Sequence, residues 1–127
     1  MSARTPEGRI SDTIIRTLRS LPESHAVKRP GGPYGAAGEP DVDASVKGRA
    51  VKLEVKQPSS RKRLTHHQRR ALRAWHRAGA VAAVVCSRDE ALDVLAAAGL
   101  IDGRVVDTQE IARLTCFWLE DEDASDV

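Results

Sequence analysis

Cysteine, aromatic residues and long apolar runs are all scarce in this sequence, and each scarcity excludes a class of protein. The 127 residues include only two cysteines, Cys86 and Cys116. They lack the CxxC spacing of a zinc knuckle, so we expect two reduced thiols rather than a disulfide framework. Aromatics make up 3% of the chain, too few for the stacking platform of a single-strand binder. No apolar run reaches the roughly 18 residues of a membrane span. We therefore expect a soluble, cytoplasmic protein with no membrane partner.

Positive charge is concentrated in one part of the chain. The net charge is only +2, yet residues 47–77 contain eleven lysines and arginines and a single acid, Glu54. A basic block of one sign favours a polyanion partner, because each phosphate contact releases condensed counterions. The chain ends in an acidic segment, residues 120–127. We expect nucleic acid as the partner, one domain over residues 1–119, and a disordered acidic tail after it.

Hydrophobic periodicity and turn residues predict an alternation of helices and strands. The predicted elements are a helix at 5–21, strands at 25–28, 41–46 and 50–56, a helix at 65–78, a strand at 80–86, a helix at 88–98, a short strand near Val105-Val106 and a last helix before residue 119. A tight turn at Lys47-Gly48 is expected to join the second and third strands. The order of elements predicts an α/β layer fold.

Two acids and a lysine fall at the ends of neighbouring predicted strands. Asp41 begins one strand; Glu54 and Lys56 end the next, on one face, because side chains alternate along a strand. Adjacent carboxylates repel each other, and a cation that prefers oxygen ligands, Mg²⁺ or Mn²⁺, allows both to be ionised. Lys56 could then orient a water or stabilise charge on a phosphoryl oxygen. Solvated sheet faces show the same spacing, so this pattern alone does not identify a phosphodiesterase site.

Three segments together resemble a nuclease family. Gly38-Glu39-Pro40-Asp41 precedes Glu54-Val55-Lys56, and Leu64-Thr65-His66-His67-Gln68 then opens a helix. This order resembles the VRR-NUC branch of the PD-(D/E)XK nuclease superfamily over roughly residues 5–98, with Glu7 as the acid of the first helix. The resemblance implies a restriction-endonuclease-like core of helix, three-stranded meander, helix and strand, followed by a C-terminal extension.

The resemblance also implies a role for each motif residue. The implied metal ligands are Asp41, Glu54, the backbone carbonyl of Val55 and Glu7. The implied catalytic residues are Asp41, Glu54, Lys56, Gln68 and Glu7, with Lys56 positioning the nucleophile and Gln68 orienting Lys56 or a phosphate. Three alternatives remain. Glu7 also suits a helix start through the helix dipole, Gln68 lies three residues after Thr65 as in a capping box, and Asp43 is a rival to Asp41.

DNA contacts are expected mainly from the basic block. The expected contact residues are Arg61, Lys62, Arg63, Arg69, Arg73 and, from the glycine-rich loop, Tyr34. The resemblance implies a magnesium-dependent endonuclease, of phage or bacterial origin, that leaves 5′-phosphate ends and acts on branched DNA such as Holliday junctions. A nucleic-acid-binding module without catalysis, and a nuclease for RNA or unbranched duplex, are the alternatives.

A homodimer is expected because resolution of a four-way junction needs two matched incisions. The apolar residues available for an interface are Ile111, Leu114, Phe117, Trp118 and Leu119. The same group could instead pack over this chain's own sheet.

Overall fold

The architecture is a mixed four-stranded sheet with helices on both faces. A computed structural model describes residues 5–29 and 38–115. Its helices and strands are α1 (Pro6–Arg19), β1 (Ser24–Lys28), β2 (Val42–Val46), β3 (Arg49–Val55), α2 (His66–Arg77), β4 (Val81–Val85), α3 (Arg88–Ala97) and α4 (Thr108–Thr115), with a 3₁₀ turn at Pro58–Ser60. The strands lie in the order β1-β2-β3-β4; the first three form an antiparallel meander, and β4 runs parallel to β3. The predicted α/β class is confirmed.

Local sequence signals set the starts of three helices. The Thr5 hydroxyl accepts from the Gly8 N–H at 3.0 Å, directly before Pro6. Thr65 begins α2 through a reciprocal capping box with Gln68. The Ser87 hydroxyl accepts from the third residue of α3. Each cap satisfies an N–H that has no partner inside the helix.

The β2–β3 hairpin has the predicted two-residue turn. Lys47 and Gly48 both have positive φ, 50° and 82°, as a type I′ turn requires. The turn fixes a register in which Val42 faces Leu53. Continued by one residue, this register brings Asp41 opposite Glu54.

The two faces of the sheet differ in what covers them. One face carries Val51, Leu53 and Val55 of β3, and it packs in the main core with Ile14 and Leu18 of α1. On the other face, α2 covers β3 and β4 through a smaller cluster. Its buried members are Leu72, Ala82 and Val84. Lys52 and Glu54 alternate with the core residues of β3 and are themselves buried, so α2 lies over a polar part of the sheet.

The segment between α3 and α4 departs from the prediction. The short strand expected near Val105-Val106 is wrong: residues 101–107 contain no strand, and Val105 is fully exposed. An apolar pair forms a strand only where a partner strand supplies hydrogen bonds, and the segment does not pair with β4.

The last helix is confirmed as α4, and Cys86 is a buried free thiol. Cys116 and residues 117–127, including the acidic tail, lie outside the described residues.

Helix length bears on the membrane prediction. No helix among the described residues is long and apolar enough to span a membrane.

Arg61 ties the loop after β3 to two later elements. Its Nη2 donates to Glu90 Oε2 at 2.6 Å, and its Nη1 donates to the Val84 carbonyl at 3.4 Å. Glu90 Oε1 accepts from the Cys86 N–H at 2.7 Å, and Arg113 of α4 lies 3.6 Å from Glu90 Oε2. Arg61 is buried, so this ion pair is part of the interior.

We expect Arg61→Ala to lower the free energy of unfolding by about 2 kcal/mol or more, because removal of one partner leaves the Glu90 carboxylate short of a charge-assisted hydrogen bond. The neighbouring Lys62 is exposed, and Lys62→Ala should change stability by less than about 0.5 kcal/mol. Urea unfolding followed by circular dichroism measures both. Equal stabilities of the two variants would contradict a structural role for Arg61.

Candidate active site

Asp41 is anchored by backbone contacts at the start of β2. Its Oδ2 accepts from the Val55 N–H at 2.9 Å, and its carbonyl accepts from the Arg29 N–H at 2.7 Å. The first contact binds the carboxylate to the end of β3, one residue beyond Glu54. Asp41 and Glu54 therefore meet at one edge of the sheet, as predicted from their positions in the hairpin.

Glu54 is buried under the first turn of α2, with only 3% of its surface exposed. Its Oε2 accepts from Gln68 Nε2 at 3.4 Å and lies 3.9 Å from Lys56 Nζ. Its Oε1 is buried and accepts no hydrogen bond from a donor among the described residues. Burial, the charge of the nearby Asp41 carboxylate and a side-chain hydrogen bond to Asp41 that favours protonated Glu54 raise the pKa of Glu54 to about 9, although Lys56 acts in the opposite direction.

Gln68 forms the capping box that its spacing from Thr65 predicts, and it also contacts Glu54, where the resemblance implies Lys56 or a phosphate as its partner. Its Oε1 accepts from the Thr65 N–H at 2.9 Å, which completes the capping box, and its Nε2 donates to Glu54. The two ends of one amide thus connect the helix start to the buried carboxylate. Whether Gln68 also acts in catalysis stays a prediction.

Glu7 lies in the first turn of α1, half-buried. Its charge contributes to the raised pKa of Glu54, but less than burial or Asp41. Within residues 5–29 and 38–115, no group of three or more His, Cys, Asp or Glu side chains is already arranged to hold a metal ion. The main ligands of a cation at this site would therefore be Asp41 and Glu54.

The donor set nevertheless fits a divalent cation. The carboxylates of Asp41 and Glu54 interact at the ends of β2 and β3, and the buried Glu54 Oε1 accepts no hydrogen bond from a donor in the described part of the chain. A buried acceptor without a partner destabilises a fold. A hard cation with oxygen ligands would satisfy Oε1 and relieve the repulsion between the carboxylates.

Asp43, the alternative to Asp41 as a site residue, forms ion pairs with Lys52 and Arg29 instead. Its Oδ1 accepts from Lys52 Nζ at 2.6 Å, and its Oδ2 lies 3.5 Å from Arg29 Nε. These contacts involve both carboxylate oxygens. Asp41 is the carboxylate that lies beside Glu54.

Gly38 and Glu39 both contact α2, which the sequence did not predict. Gly38 has a φ of +80°, and a Cβ there would come within 2.3 Å of the His67 carbonyl carbon. The segment before Asp41 therefore passes directly over the start of α2. Glu39 Oε2 accepts from Trp75 Nε1 at 3.1 Å. The glycine at position 38 is the only signal in the sequence for this close approach, and the sequence carries no signal for the contact between Glu39 and Trp75.

The predicted DNA-contact residues do not share one environment. Arg61 and Arg73 are buried, Arg73 to 1% exposure. Lys62 and Arg63 are exposed and Arg69 is half-buried, all near the start of α2. Tyr34 lies outside the described residues. The residue after Arg69, Arg70, is also exposed. We use the name α2 basic surface for the four cations near the start of α2 that are not buried: Lys62, Arg63, Arg69 and Arg70.

The pKa of Glu54 predicts how the metal-free protein responds to pH. The pKa rises from 4.5 to about 9 on folding, so between these values the folded state holds a proton that the unfolded chain has lost. Stability therefore falls as pH rises through that window. Glu54→Gln removes this dependence, and at pH 8 in EDTA its melting temperature should exceed that of the wild type by roughly 5 °C or more.

Thermal melts from pH 5 to 9 measure this effect, with Glu110→Gln, an exposed position, as the control. The gap between Glu54→Gln and wild type should widen with pH. A difference in melting temperature that stays constant with pH, or has the opposite sign, would show that folding does not raise the pKa of Glu54.

Comparison with known proteins assigns this chain to no family. No protein-family model and no curated protein matches it. The resemblance to the VRR-NUC branch therefore rests on the motif residues, and function has to be argued from the site.

Proposed function

We propose that this protein is a magnesium-dependent DNA endonuclease of the VRR-NUC type that hydrolyses phosphodiester bonds in branched DNA. The observation that carries the proposal is the meeting of Asp41, Glu54 and Lys56 at the ends of β2 and β3, where the buried Glu54 Oε1 accepts no hydrogen bond from a donor in the described residues. An arrangement that destabilises the fold and strongly shifts a pKa is typical of a functional site.

Asp41 and Glu54 would hold Mg²⁺ or Mn²⁺, supplemented by the Val55 carbonyl and by Glu7. The bound cation would supply Lewis-acid stabilisation of the phosphoryl charge and lower the pKa of a water. The Asp41 carboxylate is already fixed by the Val55 N–H, and Gln68 holds Glu54 Oε2. Both ligands are therefore oriented before a cation arrives.

Lys56 contributes a cation of its own. Its side chain is largely buried, and Nζ lies 3.9 Å from Glu54 Oε2. An ammonium held in a partly desolvated site interacts more strongly with a phosphate than one in bulk water. We assign Lys56 to orienting the attacking water and to stabilising charge on the scissile phosphate.

The α2 basic surface supports DNA as the substrate. Its four cations lie on the loop before α2 and on the first turns of that helix, which also places Gln68 against Glu54. Contacts from such side chains to phosphates position a duplex without reading its sequence. Branched DNA is favoured by the resemblance to stand-alone resolvase-like members of the branch.

The homodimer stays a prediction, now with fewer candidate interface residues. Leu114 is buried, and Ile111 packs against this chain's own core. Phe117, Trp118 and Leu119 lie outside the described residues. The need for two matched incisions at a four-way junction is the remaining argument for two subunits.

Glu54→Ala should reduce cleavage by a factor on the order of 100 or more, because a ligand to the charge-stabilising cation is lost. Binding to DNA in Ca²⁺ or EDTA should remain. The substrates are linear duplex, flap, three-way and four-way DNA and a matched RNA duplex, each with and without Mg²⁺. Glu110→Ala serves as the matched control.

Two outcomes would change the proposal. Near-normal cleavage by Glu54→Ala would place the active site elsewhere. Tight DNA binding by the wild type with no cleavage of any substrate in Mg²⁺ or Mn²⁺ would make the protein a binding module with this fold.

The α2 basic surface makes a separate prediction about salt. Lys62→Gln combined with Arg63→Gln should flatten the dependence of log affinity on log salt by roughly 0.9 per lost phosphate contact. Arg104→Gln is the control, since Arg104 is paired with Asp93 at 2.9 Å and lies outside this surface. Fluorescence anisotropy at several salt concentrations measures the slope. An unchanged slope in the double variant would remove Lys62 and Arg63 from the DNA interface.

A further inference from the structure

The indole of Trp75 links α2 to the segment that leads into Asp41. Trp75 Nε1 donates to Glu39 Oε2 at 3.1 Å, and Glu39 is two residues before Asp41. Trp75 is half-buried and packs against the cluster beneath α2. The hydrogen bond from the indole N–H therefore connects Glu39 to α2, and α2 is itself packed on the sheet.

The position of the ring is in turn fixed by β3. Lys52 Nζ lies 3.9 Å from the centre of the Trp75 ring, in a cation–π contact. The same ammonium donates to Asp43 Oδ1 at 2.6 Å. Lys52 and Glu54 share one face of β3, so the strand that carries Glu54 also locates the indole that holds Glu39.

Each residue of the segment 38–41 is held by a contact or by burial. Gly38 packs on the backbone of His67, Glu39 accepts from Trp75, Pro40 is buried, and Asp41 accepts from Val55. The carboxylates of Asp41 and Glu54 repel each other when both are ionised. A tether just before Asp41 opposes the movement that this repulsion favours.

We propose that Glu39 and Trp75 are positioning residues that hold Asp41 beside Glu54, so that both carboxylates bind one divalent cation. This inference rests on the proposed function, since it assigns the pair to the same metal site. The pair acts through Asp41 and touches neither substrate nor cation. Its loss should weaken metal binding more than it slows the reaction at saturating metal.

Three full-length variants separate this role from packing. Trp75→Phe keeps a ring over Lys52 and removes the N–H donor. Glu39→Leu removes the acceptor, whereas Glu39→Gln retains an amide oxygen that can accept from the indole. Mn²⁺ affinity is measured by electron paramagnetic resonance of the free ion. Trp75→Phe and Glu39→Leu should bind Mn²⁺ about 10-fold more weakly than wild type, and Glu39→Gln should remain close to it.

The Val55 amide supplies a readout that needs no metal. Its N–H donates to Asp41 Oδ2, so its hydrogen exchange reports whether Asp41 is in place. In the metal-free protein we expect faster exchange of Val55 in Trp75→Phe and Glu39→Leu, with Leu53 unchanged as an internal control. The double variant should weaken Mn²⁺ binding no further than either single variant, because both substitutions remove the same hydrogen bond between Trp75 and Glu39.

The outcomes distinguish this inference from the proposed function. Wild-type Mn²⁺ affinity and unchanged Val55 exchange in Trp75→Phe and Glu39→Leu would overturn the positioning role and leave the nuclease proposal standing. Additive losses in the double variant would also overturn it. A wild-type protein that binds no Mn²⁺, while Val55 exchange still responds to the variants, would overturn the proposed metal site.

Discussion

The pairing register of β2 with β3 determines which side chains meet at the candidate site. The two-residue turn at Lys47-Gly48 sets that register, and the Val55 N–H to Asp41 contact extends it past the end of β2. A slip by one residue would exchange the faces of a strand. Glu54 would then point into the main core and Leu53 towards α2. The whole constellation therefore depends on one short turn and the alternation of β3.

Helix α2 converts that strand end into a buried polar site. The face of β3 beneath it carries Lys52 and Glu54 in place of apolar residues, and each is stabilised differently. Lys52 has an ion pair with Asp43 and the face of Trp75. Glu54 has one amide contact, a lysine at 3.9 Å and an oxygen that accepts no hydrogen bond from a donor in the described residues. Both side chains are buried, but Lys52 has a close ion pair, whereas the pKa of Glu54 is raised by its burial and by Asp41 with only Lys56 opposing them.

Features that depend on local chemistry could be predicted from the sequence. The Lys47-Gly48 turn, the Thr65–Gln68 capping box and the alternation of β3 each involve residues within a few positions of one another, and all are present. The approach of Asp41 to Glu54 followed from the hairpin. The strand expected at Val105 failed because an apolar pair cannot indicate whether a partner edge is within reach.

Contacts between distant segments could not be predicted in this way. Nothing in the sequence pairs Glu39 with Trp75, which are 36 residues apart, or Arg61 with Glu90, which are 29 apart. A count of charges likewise cannot separate surface cations from interior ones. Lys52, Arg61 and Arg73 belong to the basic block and are buried, so fewer cations than the block contains can reach a polyanion.

The same helix connects the surface to the interior of the site. Gln68 reaches Glu54 from the first turn of α2, and Trp75 reaches Glu39 two turns later. Arg69, which is half-buried, and Arg70, which is exposed, lie between them in sequence. Helix α2 packs on β3 and β4, and this packing sets the spacing between the α2 basic surface and the two carboxylates. In the proposed nuclease, a phosphate backbone lying on that surface would meet the carboxylates at a set distance, which would position one bond for hydrolysis without any reading of base sequence.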